Sequence, residues 1–423
     1  MKRVLVLAYY APPLGMGGTQ RVAKFCEYLP EYGWEPVLLT VKEVAYYARD
    51  PELSRSLART RVERTGSLDP QRLLALLCRR SPGPRVQSAR QGRMTRLTTS
   101  LFLPDPKVGW LPFAVLRGVK LVRSLRAQVV LVTSPPHSAQ LAGWLIARLT
   151  GVPWVADFRD RWCAGEFQPA ATALHRTLDC ALEKWTVRQA DRIVAVSRGL
   201  ADHLSRQRDG KETATIYNGF DAREFNQERR VLQLSGNSFR VTFVGAITDV
   251  SWPGTLLEAL RLCPKSVKKD LEVAFLGLDL TGRLPSAIAS FGLEKLVRLA
   301  GYVSHRGAIR ALLASHVLYL PVAEDVHASY VPGKLFEYLA SLRPILATVP
   351  EGETAALLGE AGATRRCTPR DVQCVLDSLQ ELHRLWKQGK LPSRDATRVQ
   401  AFERRRQVGQ LASLLDGLLQ VRG

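Results

Sequence analysis

Apolar runs alternate with helical segments along the chain. The first series begins with an uninterrupted apolar run at 4–10, continues with apolar residues at helical spacing over 22–29, and reaches a second strand at 36–41. Continuous apolar runs of this length are typical of parallel strands that are covered on both faces. The order of strand, glycine-containing loop, helix and strand therefore predicts a βαβ unit.

Two such series follow one another. Further strands of the first are predicted at 129–133, 152–158, 192–196 and 214–217, with helices at 137–149 and near 172–190. Strands of the second are predicted at 240–245, 271–277, 297–301, 317–321 and 344–348. Two consecutive series predict an α/β protein with two Rossmann-like, doubly wound domains that face each other across a cleft.

The domain boundaries follow from these series. We predict an N-terminal domain over 1–225, a polar linker over 226–238 and a C-terminal domain over 239–393. The Arg-rich stretch 394–423 is predicted as one long helix, a candidate to pack back on the N-terminal domain. In domains of this kind, a ligand is expected in the crevice beyond the carboxyl ends of the strands.

Positive charge is concentrated in one part of the chain. The net charge is +21, and residues 51–150 hold 17 Lys and Arg against 4 Asp and Glu. Such an excess favours an anionic partner: nucleic acid, anionic lipid or a phosphorylated substrate. The alternative is that arginine merely keeps the protein in solution.

The basic segment 50–126 also contains apolar residues at helical spacing. Leucines at 73, 74, 76 and 77 precede Arg79 and Arg80, and a mixed apolar and basic stretch follows at 110–126. We predict that this segment makes peripheral contact with an anionic membrane surface. The alternative is a basic surface helix that packs on its own domain. No stretch of about 18 or more apolar residues lacks charge, so no transmembrane helix is expected.

The cysteines and acidic residues favour neither a disulfide scaffold nor a metal site. The seven cysteines are scattered and show no metal-binding spacing, which predicts reduced, mostly buried thiols in a cytosolic protein. There is no Asp-x-Asp and no His/Asp/Glu cluster with metal spacing, so no metal cofactor is expected. The apolar start of the chain lacks a cleavage site and reads as a strand rather than a signal peptide.

A glycine turn after the first strand is the first candidate site. Gly17 and Gly18 stand between a strand and a helix, where backbone N–H groups can approach a phosphate. The spacing fits neither a dinucleotide fingerprint nor a P-loop. A tight turn without a ligand is the alternative.

Polar residues follow two further strands of the first series. Ser134 and His137 follow the strand at 129–133, and Asp157, Arg159 and Asp160 follow the strand at 152–158. We expect these residues on the acceptor side of the cleft, with His137 and Asp160 as candidate catalytic groups. The alternatives are a capping or solvated histidine and an Arg/Asp ion-pair cluster that shapes a loop.

A helix start in the second series carries the most specific pattern. Pro332-Gly333 opens a helix and exposes N–H groups to an anion. Lys334 and Glu337 are three residues apart and lie on one stripe, where the lysine suits a diphosphate and the carboxylate suits ribose hydroxyls. An exposed ion pair on an amphipathic helix is the alternative.

At these residues the chain resembles glycosyltransferase family 4, which has the GT-B architecture, over nearly its whole length. Residues 4–31 are similar to the family's strand, Gly-Gly loop and helix, and VPGKLFEYLASLRPILA resembles its donor-binding helix. TSPPHS with GVPWVADFRDRW resembles a subgroup that builds bacterial surface polysaccharides. The resemblance implies a retaining transfer from a UDP- or GDP-type nucleotide sugar to a lipid-linked or saccharide acceptor, at the inner face of the cell membrane.

The resemblance also implies roles for individual residues. Glu337 would bind the donor ribose, and Lys334 with the N–H groups near Gly333 would hold the diphosphate. Gly17 and Gly18 would approach the same phosphates across the cleft. The other donor-side residues implied are Arg21, Gly245, Tyr302, Val303, Val331 and Pro332.

Three positions depart from the family pattern. Ser329 stands where the family has the first of two glutamates, with Glu324 and Asp325 as nearby substitutes. The Arg…Lys pair after the first strand of the second domain is absent from FVGAITDVSWPG, which leaves Lys334 as the clearest phosphate cation. Arg159 stands where a histidine is often found.

Other functions remain open at this point. On the same architecture, the chain is an alternative candidate for a sugar-nucleotide epimerase or a small-molecule glycosyltransferase. A nucleic-acid-binding protein is suggested by charge alone, but no nucleic-acid motif is present and a nucleic-acid partner is not expected. A catalytically inactive scaffold is the remaining alternative.

Overall fold

The structure is a computed structural model. It describes residues 1–15, 17–43, 50–70, 72, 102–163, 172–209, 213–231 and 238–420. The chain forms two compact units, one of Met1–Asn218 with Arg405–Gly423 and the other of Gly219–Arg404.

The first unit is built on a parallel sheet. Its strands are β1 Lys2–Leu7, β2 Trp34–Val41, β3 Arg61–Thr65, β4 Val129–Ser134, β5 Trp154–Phe158, β6 Arg192–Ala195 and β7 Ala214–Thr215. They are ordered β3-β2-β1-β4-β5-β6-β7, and each pair is parallel. The winding direction reverses between β1 and β4, which is where doubly wound sheets place their ligands.

The second unit repeats this plan. Its strands are β8 Phe239–Val244, β9 Leu271–Leu276, β10 Val297–Gly301, β11 Val317–Pro321, β12 Ile345–Thr348 and β13 Thr364–Cys367. They are ordered β10-β9-β8-β11-β12-β13, again all parallel. The reversal lies between β8 and β11. The predicted α/β class with two doubly wound sheets is confirmed.

Helices connect the strands in both units. Those of the first unit are α1 Gly17–Tyr28, α2 Pro51–Arg55, α3 Leu111–Leu125, α4 Ser138–Thr150, α5 Ala173–Gln189 and α6 Arg198–Gln207. Those of the second are α7 Ala222–Val231, α8 Gly254–Leu262, α9 Lys265–Lys268, α10 Leu284–Ser290, α11 His305–Ala314, α12 Lys334–Ser341, α13 Glu353–Ala361 and α14 Val372–Lys387. A last helix, α15, spans Arg404–Gln420.

The apolar run of β1 is buried on both sides of its sheet. Leu5 and Leu7 belong to one hydrophobic cluster, and Val4 and Val6 belong to another. Successive side chains of a strand point to opposite faces, so a strand covered twice needs apolar residues at every position. This explains why the sequence shows a continuous run here rather than alternation.

The C-terminal helix α15 packs on the first sheet. Its buried residues Val408, Leu411 and Leu415 join the cluster that contains Val4. Asp416 accepts hydrogen bonds from Trp34 Nε1 at 2.9 Å and Lys2 Nζ at 2.6 Å. The helix therefore completes the core of the first unit.

The prediction of one continuous helix over 394–420 is wrong. A 3₁₀ helix over Ala396–Phe402 precedes α15, and Glu403 between them is extended. The Phe220 N–H donates to Phe402 O at 3.0 Å, and the Arg404 N–H donates to Phe220 O at 2.8 Å. At the break, these hydrogen bonds to Phe220 take the place of hydrogen bonds within a helix.

Helix α7 occupies the first half of the predicted linker. Glu228 on this helix bonds with Arg306 and Arg310 of α11, and the three side chains fix α7 to the second unit. The second unit begins at Gly219, earlier than the predicted boundary at 225. The polar composition that suggested a linker reflects this ion-pair network, while 232–237 lie outside the described residues.

Part of the predicted membrane-facing segment can be placed. Residues 73–101, with their leucines, Arg79 and Arg80, lie outside the described residues. In α3, Ala114, Leu121 and Val122 are buried in the core, whereas Leu116 is 76% exposed beside exposed Lys120. Most apolar residues of this helix therefore pack on its own domain. Among the described residues, no helix is both long and apolar enough to cross a bilayer.

The cysteines are not all free thiols. Cys163 pairs with Cys180 and Cys367 pairs with Cys374, while Cys26 and Cys263 are free and buried. Cys78 lies outside the described residues. The expectation of reduced thiols thus differs from the structure at four positions, each brought to its partner by the packing of a loop or strand end against a helix.

Candidate functional site

In the second unit, the carboxyl end of β8 lies against the start of α12. Gly245 follows β8 with φ +140°, a conformation that L side chains rarely adopt. A Cβ atom placed there would lie 2.7 Å from Lys334 Nζ, closer than real Cβ atoms approach. Gly245 is therefore required by the backbone conformation, and a larger residue there would also displace the end of the Lys334 side chain.

Lys334 extends back over the end of β8. Its Nζ lies 4.1 Å from the ring centroid of Phe243 and 3.5 Å from Ala246 O. Burial lowers the pKa of Lys334 to about 7, although Glu337 acts in the opposite direction. An anion that binds beside this amine would raise its pKa again, because a nearby negative charge favours the ammonium form.

Glu337 lies one turn deeper on α12 and faces His305. The distance from Glu337 Oε1 to His305 Nδ1 is 3.8 Å, and His305 Nε2 lies 2.8 Å from Glu224 Oε2. Ser304 caps α11 by accepting a hydrogen bond from the Gly307 N–H, which places His305 in the first turn of that helix. The sequence analysis did not identify His305.

Tyr338 holds α12 in place. Its buried hydroxyl donates to Val244 O at 3.2 Å and lies 2.7 Å from Val244 N, which donates to it. These bonds fix the helix start relative to the end of β8. The sequence around Tyr338 is mostly apolar and gives no sign of these backbone partners, which lie 94 residues away along the chain.

The remaining donor-side candidates surround this helix start. Val331 and Pro332 precede α12, and Gly333 is its exposed N-cap residue. Tyr302 follows β10 and is 44% exposed, and Val303 comes directly before the cap of α11. In the second unit, the predicted residues therefore lie in segments that flank the carboxyl ends of β8, β10 and β11.

The Ser329 hydroxyl forms a hydrogen bond with a neighbouring residue of its own loop. Its side chain is buried, and its Oγ lies 2.8 Å from His327 Nδ1. Glu324 is more than half exposed and pairs with Arg370 at 2.9 Å. The structure therefore gives Glu324 a surface ion pair and does not bring it to the position of Ser329.

In the first unit, Arg21 and Asp157 form a buried ion pair. Arg21 Nη2 lies 2.7 Å from Asp157 Oδ1 and Nε lies 3.0 Å from Oδ2, with side-chain exposures of 1% and 0%. Arg21 Nη1 donates to Ile216 O at 2.9 Å and Tyr217 O at 3.1 Å. This arrangement favours a structural role for both residues over the predicted contacts with donor and acceptor.

Breaking this pair should destabilise the first unit strongly. Asp157→Asn or Arg21→Met leaves a buried charge without its partner, so we expect a loss of about 3–5 kcal/mol in the free energy of unfolding. Denaturant unfolding measures the change. Asp209→Asn, which breaks the exposed pair with Arg188, is the matched control and should cost about 0–1 kcal/mol. Similar losses for both pairs would contradict the structural role.

Arg159 joins the segments that follow three strands. It donates to Gly18 O at 2.5 Å, Ser134 O at 3.2 Å and Pro135 O at 2.6 Å. Burial lowers the pKa of Arg159, with Asp160 and Asp157 acting against that shift. The guanidinium thus connects the loop after β4 with the turn at Gly17 and Gly18, where α1 begins.

His137 is buried and uncharged. Its ring stacks on Trp162 at 4.9 Å between centroids, and among the described residues its Nδ1 has no hydrogen-bond partner. Burial lowers the pKa of His137 to about 3. Ser134 is fully buried and accepts from Gln140 Nε2 at 2.9 Å. The structure therefore offers His137 as a neutral imidazole and uses the Ser134 hydroxyl inside the fold.

Two buried carboxylates that the sequence analysis missed support these loops. Asp105 accepts from the Ser138 N–H and Oγ, each at 2.8 Å, and so caps α4. Glu183 accepts from the N–H groups of Trp162 and Cys163 at 3.1 and 2.6 Å. Neither showed a sequence signal, because each partner lies at least 20 residues away along the chain.

Similarity to known proteins adds to this geometry. Residues 16–224 match the model of the family described as Glycosyltransferase Family 4. No curated protein sequence matches the chain.

Solved structures resemble the chain over its full length. Sucrose-phosphate synthase from Thermosynechococcus elongatus is 16% identical with a TM-score of 0.70, and the match covers 100% of both chains. Anabaena HepE in complex with UDP-glucose is 15% identical with a TM-score of 0.65, covering 99% of this chain and 100% of that one. A candidate UDP-N-acetylglucosamine 2-epimerase from Listeria monocytogenes is 11% identical with a TM-score of 0.58, covering 99% and 97%. These likenesses confirm the GT-B fold.

Proposed function

Because the chain belongs to glycosyltransferase family 4, we propose that it moves a sugar from a UDP- or GDP-type nucleotide sugar to an acceptor hydroxyl, with retention of configuration. The observation that carries the proposal is the start of α12. There Lys334 lies beside Gly245 at the carboxyl end of a central parallel strand, and Glu337 lies one turn further along α12.

The donor's diphosphate fits the N-terminus of α12. The N-terminus of a helix presents backbone N–H groups to an anion, and the helix dipole favours negative charge there. Lys334 adds a cation that is already desolvated, and its ammonium is favoured when the phosphates bind. Gly17 and Gly18 of the first unit stay predicted contacts to the same phosphates.

The reaction needs the leaving diphosphate to be stabilised. In a retaining transfer on one face of the sugar, the acceptor hydroxyl attacks where the diphosphate leaves, and the departing phosphate oxygen takes its proton. Lys334 and the helix N–H groups would stabilise the negative charge that develops on that oxygen. We propose that these groups of the protein carry out this task.

The acceptor is proposed to be lipid-linked or a saccharide, in the synthesis of a cell-surface polysaccharide or glycolipid. The support is the likeness of TSPPHS and GVPWVADFRDRW to enzymes of that kind. His137 and Asp160 follow β4 and β5 and are the proposed catalytic candidates on this side. His137 would act as a neutral hydrogen-bond partner for an acceptor hydroxyl, because its lowered pKa excludes the imidazolium near neutral pH.

We further propose peripheral contact with the inner face of the cell membrane, in a cytoplasmic protein. The support is the basic excess of 51–150 and the exposed side of α3, where Leu116, Lys120 and Arg123 point outward. Replacing both basic residues by glutamine should weaken binding to anionic vesicles about 30-fold. Sedimentation with anionic and neutral vesicles measures this, with Arg188→Gln as the control. Binding that is independent of lipid charge would contradict the contact.

The enzymatic proposal is tested by ligand and product. Thermal stabilisation of the full chain by UDP, GDP and TDP and their sugars identifies the donor base. Product analysis with polysaccharide and lipid-linked acceptors then shows whether a sugar is transferred and with which anomeric configuration. Absence of stabilisation by every nucleotide would count against the donor site.

An epimerase is the second candidate, favoured by the structural likeness to the Listeria protein. An epimerase would convert its sugar nucleotide in the absence of any acceptor. A transferase would release nucleoside diphosphate and form a new glycoside only when the acceptor is present. The same product analysis, run with and without acceptor, therefore separates the two candidates.

A further inference from the structure

His305 lies between two carboxylates that come from different helices. Its Nε2 is 2.8 Å from Glu224 on α7, and its Nδ1 is 3.8 Å from Glu337 on α12. The side chains of His305 and Glu337 are 12% and 15% exposed, so solvent screens them only weakly. Glu224 is within hydrogen-bond distance of the ring and Glu337 is within ion-pair distance, and both carboxylates favour the imidazolium over the neutral imidazole.

The charges around His305 point the same way. Burial lowers its pKa, but the hydrogen bond to Glu224 and the charges of Glu337 and Glu224 outweigh burial and raise the pKa above its usual value. Arg404 acts in the opposite direction. These charged groups face His305 from α7, from α12 and from the first residue of α15, and together they favour the imidazolium.

The location gives this cation a function. His305 comes two residues after Val303, which the family resemblance places on the donor side, and it faces Glu337, the proposed ribose ligand. It therefore connects the segment after β10 with α12 inside one unit. An ion pair with a cation on one side favours one orientation of the Glu337 carboxylate, in which two adjacent hydroxyls can donate to it.

We propose that His305 is a positioning residue that orients Glu337 toward the ribose hydroxyls and so makes the site selective for ribonucleotides over 2′-deoxyribonucleotides. The proposal rests on the proposed donor site. The selectivity is present while His305 is charged and is lost as the pH rises through its raised pKa. Lys334 also titrates near neutral pH, but it contacts the diphosphate and so affects both nucleotides equally.

The test is the ratio of two dissociation constants. Calorimetry with UDP and 2′-deoxy-UDP, or with the guanosine pair if GDP is the ligand, gives the preference of the full-length protein for ribose. We expect the wild type to prefer the ribonucleotide about tenfold or more, and His305→Gln to reduce this preference about threefold to tenfold. The preference of the wild type should also fall as the pH rises through the raised pKa of His305, and that of the variant should not.

Matched variants separate this role from general stability. His383→Gln removes a histidine that pairs with Asp270 at 3.0 Å in the same unit, and it should leave the ratio unchanged. Glu224→Gln keeps His305 but removes one carboxylate, so it should lower the preference at neutral pH even if His305→Gln unfolds. If the wild type binds neither nucleotide, the donor site itself fails and this role with it. If it binds both and neither variant changes the ratio, only the role of His305 is overturned.

Discussion

Lys334→Ala is expected to lower kcat for sugar transfer roughly 100-fold to 1,000-fold, the effect of losing one preorganised donor to a developing anion. The ammonium lies 4.1 Å from the ring centroid of Phe243 and is partly buried, so an electrostatic contact there is stronger than at the surface. Because the diphosphate carries more negative charge as it leaves, the loss should fall on kcat and not only on KM. Steady-state kinetics with varied donor measures both constants.

The pH profile gives a second result for the same residue. Its pKa is lowered to about 7, so the charged form is present below that pH and is lost as the pH rises through it. Donor affinity of the wild type should therefore decline above about pH 7, by up to about tenfold per pH unit until the ligand-bound pKa is reached. Lys334→Arg keeps its charge at all these pH values and should remove the decline.

The control for Lys334 is another lysine of the same unit. Lys265 at the start of α9 is exposed, and Lys265→Ala should leave kcat and the pH profile unchanged. A Lys334→Ala enzyme with wild-type kcat would show that the lysine packs on Phe243 but does not stabilise the leaving diphosphate. In that case the cation for the leaving group must come from elsewhere.

Local patterns in the sequence predicted what short-range contacts determine. The apolar run of β1 and the shared stripe of Lys334 and Glu337 both depend on residues a few positions apart, and both appear as predicted. The edge strands β3 and β13 were missed. Both carry arginines and pair on one side only, so they lack the continuous apolar run of a central strand.

Contacts between distant residues explain most of the differences at the candidate site. The family resemblance implies that Arg21 is a donor-side residue, yet its partner Asp157 is 136 residues away and the two form a buried ion pair. His305 was missed because Glu337 is 32 residues ahead, on a different helix. A single sequence does not show such pairs, since neither periodicity nor spacing depends on them.

Glu337→Ala is expected to raise the donor KM about 30-fold to 100-fold, since two hydrogen bonds to a charged oxygen pair are lost. The ribose does not change during the reaction, so its contacts are equally strong in the ground state and the transition state. The change should therefore fall mainly on KM, opposite to the pattern expected for Lys334→Ala. Glu337→Gln keeps the size of the side chain and one acceptor oxygen, and it should raise KM about tenfold.

The same substitution provides a readout that does not need turnover. Removing the carboxylate of Glu337 removes one of the charges that raise the pKa of His305, so NMR titration of its imidazole should show a lower pKa in Glu337→Gln. Glu258→Gln, an exposed glutamate on α8, is the control for both measurements. A wild-type donor KM in Glu337→Gln together with a lowered His305 pKa would show that the pair exists but does not face the ribose. Because the two readouts fail separately, they distinguish an incorrect ligand assignment from an incorrect side-chain contact.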